Sequence, residues 1–103
     1  MSRTNWKEVE RTVAKMLKGK RIPVTGLGRA EADVITPLLH CQIKTGRNRP
    51  GYFDDWLDGI CADAAPHGKA GVVIWQATRE RIADSVVIMR LSQFEALHGK
   101  VQP

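Results

Sequence analysis

An α/β fold, a central mixed sheet flanked by helices, is predicted by three features of this 103-residue chain. Apolar residues recur at helical spacing in two segments, residues 6–17 and 53–64. Residues 70–76 (Ala-Gly-Val-Val-Ile-Trp-Gln) form a nearly continuous apolar run, the pattern of a strand covered by helices on both faces. Residues 38–44 alternate instead, which marks a strand with two different faces. The length supports one modest core, so residues 1–103 are expected to form a single domain with a loose tail at about 100–103.

Residues 5–18 read as the first helix. Asn5 can cap it, and Glu8 three positions on completes a capping-box pattern. Trp6, Val9, Val13, Ala14, Met16 and Leu17 share a broad stripe. Glu10 falls inside that stripe, whereas Glu8 falls on the wet face. A carboxylate on a buried face needs a compensating cation, either a bound metal or a neighbouring arginine. Gly19 is expected as the C′ residue that ends the helix. Residues 21–25 form a short strand, limited by Pro23 to an edge or irregular position. The loop Gly26-Leu27-Gly28-Arg29 lacks the third glycine of a dinucleotide fingerprint, because Glu31 stands there. Its glycines let backbone approach a phosphate with Arg29 as donor, or simply make a turn.

Residues 32–35 and 38–44 are the next two strands, joined through Thr36-Pro37. In the second of them Leu39, Cys41 and Ile43 form a core face, while Leu38, His40, Gln42 and Lys44 point the other way. Asp33 lies in a short apolar run, where an unpartnered carboxylate is costly to bury. A hairpin would bring it beside Gln42 and Lys44. An acidic residue, a gap, then an acidic or amide residue two positions before a lysine is a constellation suited to phosphodiester cleavage. It offers oxygen ligands to a divalent metal next to a cation that can steady an attacking water. His40 shares this face but is expected at the surface, like His67 and His98.

The polar loop 45–51 places Arg47 and Arg49 directly after Lys44. Residues 51–65 form the second helix, closed by Pro66-His67-Gly68. Its acidic group Asp54, Asp55 and Asp58 lies off the apolar stripe, in the first turns, and serves the helix dipole rather than a metal. Residues 78–84 are a charged connection and 85–91 a further buried strand. Ser92 and Glu95 form a capping box that opens a last helix ending at His98-Gly99.

Charge is unevenly spread. Residues 1–50 carry 11 Lys/Arg against 4 Asp/Glu, and residues 51–103 carry 5 against 7, giving +7 and −2. The basic half holds the suspected site, which suits a polyanionic partner such as DNA. No apolar run approaches membrane-spanning length, and the N-terminus has no apolar signal region, so a cytoplasmic protein without a membrane partner is expected. Cys41 and Cys61 lack metal-ligand spacing and read as reduced core thiols.

The order helix, three strands, helix, strand, strand, helix, with Glu10 on the first helix, Asp33 on the second strand and Gln42-Ile43-Lys44 on the third, resembles the PD-(D/E)XK nuclease superfamily. The wording is most similar to its small phage and archaeal Holliday junction resolvase-like members, through Glu10-Arg11 before an apolar-periodic run, Gly28-Arg29, and Asp33-Val34. The resemblance covers roughly residues 5–65. It implies the αβββαβ restriction-endonuclease-like core and Mg²⁺- or Mn²⁺-dependent DNA cleavage leaving a 5′-phosphate. It also implies metal ligation by Glu10, Asp33, Gln42 and the Ile43 carbonyl, with Lys44 as the catalytic lysine. Arg29, Arg47 and Arg49, with Lys44, are expected on the DNA backbone. Symmetric cutting of a branched substrate implies a homodimer. Two positions depart from the pattern: Gln42 replaces the second acidic residue, and Ala32 stands where a proline precedes the aspartate. Three readings therefore stand beside one another: a junction resolvase, a nicking or ordinary duplex endonuclease, and a non-catalytic DNA-binding or assembly protein that keeps the fold.

Overall fold

The computed structural model describes residues 6–22, 32–47, 51 and 53–101. Helix α1 spans Trp6–Met16, followed by strands β1 (Lys20–Arg21), β2 (Val34–Ile35) and β3 (Leu39–Gly46). Helix α2 (Asp54–Ala64) then leads through a 3-10 turn to β4 (Ala70–Ala77), and β5 (Val86–Ile88) and α3 (Leu91–Val101) follow. The architecture is α/β, a five-stranded mixed sheet in the order β1-β2-β3-β4-β5 flanked by three helices. It is compatible with an αβββαβ core. Strand β2 pairs antiparallel with both β1 and β3, β3 and β4 are parallel, and β5 pairs antiparallel with β4. The parallel pair requires a crossover, which α2 supplies.

The sheet is buried between helices on both faces. Val9, Val13 and Ala14 of α1 pack with Val34, Cys41, Ile43, Val72 and Ile74. Leu57 and Ile60 of α2 pack with Val73 and Ala32 on the other side. Strand β4 is buried along seven of its eight residues, as its continuous apolar run predicts. The alternation in β3 puts Cys41 and Ile43 toward α1 and leaves His40, Gln42 and Lys44 on the α2 side.

Several boundaries differ from expectation. The residue after α1 in the left-handed conformation is Lys18 (φ 55°), not Gly19. The Lys18 N–H donates to the Lys15 carbonyl and the Gly19 N–H to that of Ala14, which is a Schellman ending shifted by one residue. Gly19 is required for another reason: a Cβ there would lie 2.7 Å from the Ile35 carbonyl oxygen and 2.9 Å from Thr36 Cγ2. Met16 and Leu17, expected on the buried stripe, are exposed at the end of α1. Thr45 and Gly46 continue β3 rather than starting a loop. Strand β5 is a short, partly exposed edge, not a buried strand, because one of its sides has no neighbouring strand. Helix α3 begins at Leu91 and runs through Gly99, so Ser92 is inside it and neither its cap nor its glycine stop applies. The expected strand residues 23–25, the loop with Gly26, Gly28 and Arg29, and Arg49 lie outside the described residues.

Candidate metal and phosphodiester site

The hairpin between β2 and β3 turns at Thr36, whose hydroxyl accepts from the N–H groups of Leu38 and Leu39 at 3.2 and 3.0 Å. That closure pairs Val34 with Cys41 and Ile35 with His40. Asp33 follows at the open end, held by residues on both sides of Gln42. Its N–H donates to the Cys41 carbonyl and its Oδ2 accepts from the Ile43 N–H, each at 2.8 Å. The chain thus brings Asp33 against the Gln42-Ile43-Lys44 element.

Burial raises the Asp33 carboxyl above its usual range, opposed by the Ile43 N–H and by the charges of Lys44 and Arg21. Glu10, on the buried side of α1, is only 3% exposed. Its carboxyl is raised too, first by burial and second by the charge of Asp33. The two carboxylates therefore share one electrostatic environment. Arg21 of β1 donates its Nε–H to Glu10 Oε1 at 2.9 Å. Of the two compensating cations expected for Glu10, the arginine is present. It does not offset the cost of desolvation, since both carboxyls stay raised with burial as the largest cause.

Gln42 is 8% exposed, and its Oε1 is buried without a hydrogen-bond partner among the described residues. A buried carbonyl left unpaired costs about 1–3 kcal/mol. Lys44 carries its Nζ 5.2 Å from the centroid of the Trp56 ring and still acts on Asp33 through space. Arg47 is exposed just beyond β3. Among the described residues no three His, Cys, Asp or Glu side chains form a metal-binding group. The set brought together by sequence reasoning contains two carboxylates and an amide, so its third oxygen would come from Gln42.

His40 is a correction. It is buried, not superficial, with Nδ1 2.8 Å from Asp63 Oδ2 of α2 and its ring 5.0 Å from that of His67. The same Asp63 oxygen accepts from the Ala32 N–H at 3.2 Å, which ties α2 to the residue preceding Asp33. Sequence reasoning missed Asp63, although its signal is the one that singled out Glu10. In helical projection it falls about 20° from Trp56, at the margin of the apolar stripe. Asp54 and Asp58, off the stripe as expected, pair with Arg90 at 3.5 and 2.8 Å. Both cysteines are free, and burial pushes the Cys41 thiol up to about 12, so it is neither nucleophile nor ligand. No helix among the described residues is long and apolar enough to cross a membrane.

No protein-family model matches the chain, and no match was found among curated proteins or solved structures.

Proposed function

We propose that the protein is a metal-dependent DNA endonuclease, structure-selective in the manner of a Holliday junction resolvase. The observation that carries this reading is an unmet demand for a cation. The buried Glu10 carboxyl and the half-buried Asp33 carboxyl are both raised by desolvation, in spite of Arg21 and Lys44, and the Gln42 carbonyl is buried without a partner among the described residues. Hard oxygen donors of this kind suit Mg²⁺ or Mn²⁺. Glu10, Asp33 and Gln42, with the Ile43 carbonyl, would hold the ion. When bound, it would supply Lewis-acid stabilisation of the scissile phosphate and acidify water. Lys44 orients the attacking water and offsets charge developing on the phosphoryl oxygens, since phosphoryl transfer depends chiefly on positioning and electrostatics. Arg47, with Arg29 and Arg49, engages the DNA backbone and fixes its position without reading sequence. Cutting two strands symmetrically calls for a homodimer.

A second reading has its own support. Gln42 removes one negative charge, and Arg21 already occupies one oxygen of Glu10, so the fold could bind DNA without cutting it. One experiment separates the two. Wild type, Asp33→Ala and Lys44→Ala are compared on four-way junctions, nicked or flapped duplex and linear duplex, with Mg²⁺ or Mn²⁺. The nuclease reading expects each substitution to lower cleavage by roughly 10²–10³-fold while DNA binding persists. Equal cleavage by all three proteins excludes this site as the catalytic centre. Binding without any wild-type cleavage selects the second reading.

A further inference from the structure

We infer that Trp56 and Phe53 form a stacking platform for an unpaired nucleobase next to the scissile phosphate. This inference rests on the nucleic-acid reading above and names the substrate feature that the site selects. Lys44 and Trp75 are register partners on β3 and β4, so they rise side by side from the same sheet face. Both reach Trp56 of α2. Its ring stacks on that of Trp75 at 6.1 Å and 16°, and Lys44 Nζ lies 5.2 Å from its centroid. The Phe53 ring is 6.1 Å from that of Trp56 and tilted by 55°.

The inner ring is held firmly in place. Trp75 is 5% exposed, and its indole lies across Gly46 so closely that a Cβ there would be 2.5 Å from Cη2. Trp56 and Phe53 remain partly exposed on top of it. Such a ladder of rings, rigid at its base and open at its end, accepts the flat face of any base, and an adjoining cation strengthens the stack. Lys44 touches this platform and also acts through its charge on the Asp33 carboxyl. A base resting on Trp56 therefore has its phosphate near Lys44 and the following backbone near Arg47. A base inside an intact duplex cannot reach the rings, whereas one at a junction, flap or gap can.

The test uses a duplex carrying one unpaired 2-aminopurine and the same duplex fully paired, both bound in EDTA at fixed salt. Wild type is expected to prefer the unpaired form and to quench its 2-aminopurine fluorescence. Trp56→Ala and Phe53→Ala are each expected to bind it roughly five- to 150-fold more weakly, with paired-duplex affinity unchanged. Trp56→Phe, which keeps a ring and the packing on α2, is expected to retain the preference and guards against a folding defect. Equal affinity of wild type for both duplexes, or quenching that survives in both alanine variants, overturns the platform and leaves the nuclease reading standing. Failure to bind either duplex overturns both.

Discussion

Asp33 joins two roles that pull in opposite directions: its carboxylate accepts the Ile43 N–H, yet burial penalises its charge. Its folded-state pKa is raised, as is that of Glu10, so the folded protein holds protons that the unfolded chain releases. The contribution of these two groups to stability is therefore greatest below the ordinary carboxylate values and is lost as pH rises through the window up to the raised ones. Asp33→Asn keeps a carbonyl acceptor for Ile43 and removes the charge. Thermal melts should show it more stable than wild type at neutral pH, with the difference vanishing below pH 3.8, the ordinary aspartate value. Gln42→Glu adds a carboxylate where the orphaned carbonyl now lies. It is expected to tighten Mg²⁺ binding by about tenfold or more in titration calorimetry, through the added ligand charge. Unchanged or weaker affinity would count against Gln42 as a ligand.

At the scale of elements, the turn from α1 into β1 shows two neighbouring residues with opposite requirements. Lys18 adopts φ 55°, a conformation that costs a residue with a Cβ about 1–2 kcal/mol. Gly19 is pressed against the Ile35 carbonyl. Lys18→Gly should stabilise the protein by about 1 kcal/mol, and Gly19→Ala should destabilise it by about 1–3 kcal/mol, measured as urea midpoints. The same sign for both would mean that strain at this turn is not divided between φ and packing as described. Close approach matters again at Gly71, where a Cβ would meet backbone atoms of Ile60 and Cys61 at 2.6–2.7 Å. That contact sets how near α2 lies to β4, and hence where Trp56 and Asp63 stand relative to β3.

Over the whole molecule, the dominant property is the contrast between a basic first half and a slightly acidic second half. The acidic half meets some of its own charge internally, through Arg90 with Asp54 and Asp58. The basic half leaves Arg47 exposed at the end of β3. If that surface binds DNA, log K falls linearly with log salt concentration, and Arg47→Ala reduces the slope by about 1 while weakening all duplex sequences alike. A slope that does not change with this substitution would place the DNA backbone elsewhere.

The sequence by itself determined the α/β class, the order of the elements, the faces of β3 and the buried position of Glu10. These follow from the periods of helix and strand, which are local properties of the chain. It also placed Asp54, Asp55 and Asp58 off the apolar stripe, where they are exposed. What the sequence could not decide depended on approach between segments distant in the chain. The partners of Glu10 and His40, Arg21 and Asp63, lie 11 and 23 residues away. The glycine requirements at 19 and 71 come from strands and helices crossing above them. The stacking of Trp56 on Trp75 exists only because α2 crosses over a parallel pair. Periodicity says which side of an element is buried, and only the folded chain says against what.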